Sequence, residues 1–275
     1  MKYFLVHLGG EFPLYTKHCV KQIHKHDKEA EVLLCGNINP TFIDEKYTFI
    51  NSDDLELPTF DYLKDDPDPL WHTSVMRIFV INAFMQKTDI DGLIHFDNDV
   101  MIFGDFNKIE KNFNKENYIT PHKETEYAFG FSYLNNKEKF NEITKRIYET
   151  ILLGESEVRR LTGDQAHEMR LLGFCCSDLI KDLPVHPSIG NIENYIFDPS
   201  SWGQHIGGTP AGHSPGFIDK EQIVGNILSN LPEKPTLLYD PSADSYHLKH
   251  ENHIYKIFNL HVHSKKLDSF NSLSK

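Results

Sequence analysis

Three segments of the first hundred residues limit the folds open to this chain. Tyr3 to Leu8 is an almost wholly apolar run that stops at Gly9 and Gly10. A polar, helix-compatible stretch from about 14 to 26 follows, and then a second apolar run, Glu31 to Cys35. The order is strand, helix, strand. Repeated alternation of this kind builds an α/β fold with a mostly parallel sheet flanked by helices on both faces. In such sheets ligands bind beyond the carboxyl ends of the strands.

The pattern continues past an acidic, proline-bearing loop from Asn51 to Asp68. Asp68 followed by Pro69 is the signature of a helix N-cap with proline at the first helical position. The helix continues through "LWHTSVMRIFVINAFMQ", where Leu70, Val75, Ile78, Phe79, Ala83 and Phe84 share a core-facing side. "DGLIHF" then supplies another strand, and Asp97 and Asp99 fall at its end. Later segments are less regular. Tyr127 to Asn136 reads as a strand, Lys137 to Leu153 as an amphipathic helix, Gly163 to Leu172 as another helix, and "IYKIFNLHVHSKK" as the last strand-like run. Between them, Phe197 to Phe217 is a long stretch rich in Gly, Pro and Ser, of the kind that carries function in a compact domain.

Composition narrows the partners. The chain has 275 residues, enough for one large domain or two small ones, and its 39% hydrophobic and 12% aromatic content describes a globular protein. A net charge of -12 argues against nucleic acid, whose phosphates are held by clustered Lys and Arg. An acidic protein that handles phosphates recruits a cation instead. Cys19, Cys35, Cys175 and Cys176 include no CxxC and read as reduced, packed thiols of a cytoplasmic protein. The opening "MKYFLVHLGG" lacks a cleavage site and suits a first strand better than a signal peptide. No segment has the apolar length of a transmembrane span, so any membrane contact is expected to be peripheral.

Asp97 and Asp99 pose a question of charge. Two carboxylates this close repel each other unless a cation lies between them. Spaced by two in extended backbone, they can turn to one side and share a hard divalent ion with phosphate oxygens. A solvated turn bearing two acids is the plainer alternative. His261 and His263 alternate along a strand and so project to one face, with Lys265 and Lys266 just beyond. An imidazole added to two carboxylates favours manganese over calcium, and the lysines can neutralise a diphosphate. In the Gly-rich stretch, Trp202 and His205 are candidates to stack on a sugar ring and bond its hydroxyls, with anchoring of the loop as the competing role for Trp202.

Taken in order, "HFDNDV", "FGFSYLNN", "TGDQAH" and the terminal "HVHSKK" resemble the landmarks of nucleotide-sugar glycosyltransferases of the GT-A fold. The nearest likeness is to the retaining group typified by glycogenin and the bacterial lipooligosaccharide galactosyltransferases, and it spans nearly the whole chain. The resemblance implies a single GT-A domain over 1–275, with a nucleotide-binding half (1–100) and an acceptor-binding half (101–275). It implies a Mn²⁺ or Mg²⁺ cofactor held by Asp97, Asp99 and His263 or His261, and a donor that is a UDP-sugar. Asp97, Lys265 or Lys266, and Arg77 would contact the donor's nucleotide and diphosphate, with His7 placed beside them. Asp164 and Gln165 match the family's "DQ" beside the reacting sugar. The family's terminal "HxxGxxKPW" is here "HVHSKK", which leaves the choice between the two histidines open. The implied reaction transfers a sugar to a glycan or other hydroxyl acceptor with retention; under inversion, a carboxylate such as Asp164 would take the acceptor's proton.

Two other classes fit parts of the pattern. A magnesium-dependent phosphohydrolase of the haloacid dehalogenase type also places DxDx(T/V) after a strand, and "DPSAD" (Asp240 to Asp244) would supply its later acids. That family's first motif normally opens the domain, whereas nearly a hundred residues precede it here. A non-enzymatic calcium-dependent lectin is the other, although an EF-hand is excluded by Met101 and Ile102 in ligand and glycine positions.

Overall fold

The computed structural model describes residues 1–163, 167–214, 216–232 and 235–270. Strand β1 (Lys2–His7) leads through helix α1 (Thr16–His26) to β2 (Glu31–Gly36) and then β3 (Thr48–Asn51). Helix α2 (Pro69–Thr88) precedes β4 (Leu93–Phe96), and a tight turn gives β5 (Val100–Ile102). Next come β6 (Asn117–Lys123), β7 (Glu126–Leu134), α3 (Lys137–Ile151), α4 (Glu155–Thr162), α5 (Glu168–Cys176) and β8 (Ile180–Asp182). The remainder is β9 (Tyr195–Ile196), α6 (Trp202–His205), α7 (Ile223–Asn230), β10 (Thr236–Asp240), β11 (Ser245–His250), β12 (His253–Ile257) and β13 (Asn259–His261).

Seven strands form the central sheet in the order β3-β2-β1-β4-β7-β6-β8. The first four run parallel, β7 runs against both its neighbours, and β8 is parallel to β6. This is the expected α/β class, a mostly parallel sheet flanked by helices. The strand order reverses at β1, since β2 and β3 lie on one side and β4 on the other. The reversal opens a crevice at the carboxyl ends of β1 and β4, which is where open α/β sheets bind ligands.

The apolar runs are continuous because both faces of these strands are covered. Tyr3 and Leu5 point into one core with Val20 and Ile23 of α1, while Phe4 and Val6 point into the other with Val75 and Ile78 of α2. On the second face Phe4 stacks on Phe84 at 4.5 Å between ring centres. Each full burial of such a side chain is worth about 1.5–3 kcal/mol. A single polar replacement at Phe4 would therefore strike the sheet and α2 together.

Helix α2 begins as its sequence dictates. Asp68 Oδ1 accepts the Leu70 N–H at 3.0 Å, and Pro69 occupies the first turn, where its missing N–H costs nothing. Leu70 departs from expectation: it is 55% exposed and borders the crevice instead of the core. The helix expected over Gly163 to Leu172 is observed as α5, with 164–166 outside the described residues.

A second sheet, β10-β11-β12-β9, was not apparent in the sequence. "DPSAD" is the hairpin turn between β10 and β11: Asp240 Oδ1 accepts from Ser242 N–H, and Asp244 pairs with Lys25 at 2.5 Å and accepts from Gln22 at 3.0 Å. Asp244 ties the hairpin to α1 while Asp240 closes the turn itself, and neither lines the crevice, which removes the second acid group of the phosphohydrolase reading. Finally, β13 pairs antiparallel with β5, His261 opposite Val100. This short ladder joins the terminal histidine segment to the mid-chain acid pair. All four cysteines are free, and among the described residues no helix is long and apolar enough to cross a membrane.

Candidate active site

Asp97 and Asp99 sit in the turn between β4 and β5, not in extended backbone. Val100 N–H donates to Asp97 O at 3.0 Å and closes the turn. Its middle residue is pinned from behind: Asn98 Nδ2 donates to Val6 O at 2.9 Å, and Cys19 Sγ donates to Asn98 O at 2.6 Å. With Asn98 held against β1 and α1, the flanking carboxylates line the crevice.

The β5–β13 ladder delivers His261 to them. Its Nε2 lies 3.1 Å from Asp99 Oδ1 and 3.8 Å from Asp97 Oδ2. Ser200 Oγ, 2.8 Å from Nδ1, occupies the other ring nitrogen and aims Nε2 at the acids. Ligand atoms of Asp97, Asp99 and His261 all lie within 4.8 Å of one another. Gly130 on β7 makes room for this approach, since a Cβ there would stand 2.8 Å from His261 Nδ1 and 3.3 Å from Asp97 Oδ2.

Asp198 fixes His261 from below. It is fully enclosed, and its two oxygens accept four backbone N–H groups: Ser201 at 2.6 Å, Trp202 at 2.8 Å, Gly203 at 2.9 Å and His261 at 2.9 Å. Burial pushes this carboxyl up, and the four donors oppose the push. One side chain thus nucleates α6 and locks it to β13.

The acids are matched by cations. Arg77 pairs with Asp97 Oδ1, lies 3.6 Å from Glu168 Oε1, and places its guanidinium 5.7 Å from the centre of the Phe129 ring. Lys265 pairs with Asp99 Oδ2. Burial alone would raise the Asp99 carboxyl, but His261 and Lys265 hold it well below the usual carboxylate range. Asp99 is therefore ionised and available as a ligand at neutral pH. Two carboxylates and one imidazole form a donor set suited to Mn²⁺ or Mg²⁺, so the residues fit the expected ion.

These groups border a cavity of about 440 Å³ at the β1/β4 crevice. Of the residues picked out by sequence, His7, Arg77, Asp97, Asp99, His261, His263 and Lys265 converge on it. Among the described residues the group of three with metal-ligand spacing contains His261 and not His263, whose ring stacks on His261 at 4.0 Å. Lys266 is exposed and away from the cavity. Trp202 is completely buried, with Nε1 donating to Val185 O at 2.9 Å, so no ring face is open to a sugar and its role is anchorage. His205, edge-on to Trp202, does not line the cavity either. Asp164 and Gln165 lie outside the described residues.

The cavity also contains residues the sequence did not single out, chiefly Tyr15, His122, Glu168, Ser200, Gln204 and Gln222. Asp198, which sets His261, lies four residues before the first residue of α6, so Asp198-Pro199 is not a cap signal of the Asp68-Pro69 kind.

No family model matches the chain, and no curated protein does. Similar solved structures include the glycosyltransferase GlyE of Streptococcus pneumoniae, at 14% identity and a TM-score of 0.45 over 66% of this chain. The galactosyltransferase LgtC, solved with donor and acceptor sugar analogs, matches at 12% identity and 0.39 over 67% of this chain and 73% of its own. Mouse xyloside xylosyltransferase 1 matches at 13% identity and 0.42, over 67% and 85%. The chain spans 45% of the GlyE chain.

Proposed function

We propose that this protein is a metal-dependent glycosyltransferase of the GT-A type, moving a sugar from a nucleoside-diphosphate sugar, UDP-linked, to a hydroxyl of a glycan acceptor. The observation that carries the reading is the meeting of Asp97, Asp99 and His261 at the carboxyl-end crevice of the parallel sheet, flanked by Arg77 and Lys265. A phosphate-handling site on an acidic protein needs local positive charge, and here it is built from residues far apart in sequence.

A bound Mn²⁺ or Mg²⁺ at these three side chains would supply Lewis acidity toward the diphosphate. The chain's own contribution is orientation and charge. Lys265 and Arg77 offer cationic donors for diphosphate oxygens, which strengthens the hold on the leaving group as its negative charge grows. His7 and Val6, at the end of β1, border the same cavity and give the nucleotide a wall. Trp71, Phe129 and Met169 give the cavity an apolar part of its lining against which a sugar ring can pack. Retention and a role for Asp164 and Gln165 beside the reacting sugar belong to this reading as it derives from the family resemblance.

Thermal-shift and calorimetric titration with UDP, UDP-glucose, UDP-galactose and UDP-N-acetylglucosamine, with and without Mn²⁺, tests it. Metal-dependent nucleotide binding that disappears in Asp99→Asn supports the assignment. Binding that ignores both the metal and Asp99, or no nucleotide binding at all, overturns it.

A further inference from the structure

Besides the acids and cations, the cavity lining includes a group of uncharged polar side chains, and each of them is held in place. His122 on β6, Gln204 on α6 and Gln222 just before α7 are 7, 5 and 6% exposed, and all three line the cavity. Each spends one polar atom on the scaffold. His122 Nδ1 bonds Pro199 O at 3.0 Å, Gln222 Oε1 accepts from Ser201 Oγ at 2.6 Å, and Gln204 Nε2 donates to Ser200 O at 2.6 Å. A surface ion pair at 3.2 Å between the neighbouring Lys123 and Glu221 also spans from β6 to the segment before α7. Three separate segments are knitted into one rigid surface.

What remains of each side chain is chemically specified. Pro199 O can only accept, so His122 Nδ1 must carry the ring proton. In the neutral ring Nε2 then has a lone pair to offer. Burial lowers the His122 pKa and keeps the ring neutral. Gln222 is left with its Nε2 donors, and Gln204 Oε1 is a buried acceptor with no partner among the described residues. An acceptor nitrogen, an amide donor and an amide acceptor suit a group that both donates and accepts at each contact, which a hydroxyl does and a phosphate or carboxylate does not. Ser200 connects this wall to the acids, since its Oγ meets His261 and its carbonyl meets Gln204.

We propose that His122, Gln204 and Gln222 form a hydroxyl-reading subsite for a neutral pyranose ring, seated against the metal and diphosphate end of the cavity. The proposal rests on the glycosyltransferase reading above. The ring could enter as the donor's glycosyl unit or as the acceptor, and one experiment has an arm for each. In the donor arm, calorimetry with Mn²⁺ compares UDP with UDP-glucose, UDP-galactose and UDP-N-acetylglucosamine. In the acceptor arm, saturation-transfer NMR with Mn²⁺ and UDP present probes methyl glucosides, methyl galactosides and lactose.

The decisive variant is Gln222→Met, which removes the amide donors at this cavity position without adding a charge; His122→Phe removes the acceptor. The expected result is a loss of about tenfold in the UDP-sugar advantage over UDP, or in saccharide affinity, with UDP affinity within about twofold of the parent. Retained UDP affinity also shows that the variants fold. Parent-like sugar binding in both arms for both variants overturns the subsite, as does a parent protein that binds UDP with Mn²⁺ but no sugar in either arm. A parent that binds no UDP overturns the enzyme reading itself, and the subsite with it.

Discussion

The two walls of the cavity are built by different means. On one, Asp97, Asp99, Arg77 and Lys265 present full charges that neutralise one another in pairs, and His261 is brought among them by a three-residue ladder. On the other, His122, Gln204 and Gln222 carry no charge and are fixed by hydrogen bonds to backbone and hydroxyl groups. The charged wall tolerates modest misplacement, because Coulomb attraction falls slowly with distance. The uncharged wall depends on atoms within hydrogen-bond range and loses its discrimination once they move. One wall is suited to grip and the other to choose.

The largest effect that can break this contrast is expected from Asp99→Asn. Sugar transfer should fall by roughly 10³-fold, on the scale of about 4 kcal/mol of transition-state stabilisation. The melting temperature should move by only about 2–4 °C. Rates and melting curves on the same preparation check both, and a variant that keeps transfer with Mn²⁺ supplied would dissolve the charged wall as a functional unit.

Next in size is Ser200→Ala, which frees His261 Nδ1 while leaving every charge in place. Mn²⁺ affinity should drop about 10–100-fold, read by metal titration without nucleotide. A smaller effect separates the two lysines. Lys265→Met should weaken UDP binding about tenfold, whereas Lys266→Met, which does not line the cavity, should stay within about twofold. Equal losses would mean that the cavity boundary is drawn in the wrong place.

The least effect is one of acidity. His122 and His186 are held neutral by burial, His186 down to about 4 against an ordinary 6.5. Below about pH 6.5 the unfolded chain takes up protons that these folded histidines refuse. Stability is therefore complete above that value and declines as pH falls toward 4. Melting temperatures at pH 7.5 and 5.0 should show the decline, and His186→Gln should make it shallower.

Legibility in the sequence followed burial. Strands β1, β2 and β4 are enclosed on both faces, so their apolar runs announced them, and Asp68-Pro69 announced α2. Strand β6 was hidden by Pro121 within it, and β10 and β11 by half-exposed positions filled with Lys, His and Tyr; β12 and β13 were read together as one strand-like run. At the site, Asp97-x-Asp99 and the terminal His and Lys residues carried a spacing that chemistry demands. The uncharged wall had no such spacing: glutamines and a histidine acquire meaning only when β6, α6 and the start of α7 are side by side. Trp202 misled for a physical reason, since a large aromatic in a Gly-rich stretch serves equally to anchor the loop, as it does here against Val185 O.

Asp99 and Lys265 meet although 166 positions separate them in the chain. Closing a loop of that length costs chain entropy, which the short β5–β13 ladder and the ion pairs around it help to offset. A chain emerging during synthesis would own its acid pair long before it owned a cation-binding centre. Any cation affinity of Asp97, Asp99 and His261 would accordingly depend on β13 having docked against β5.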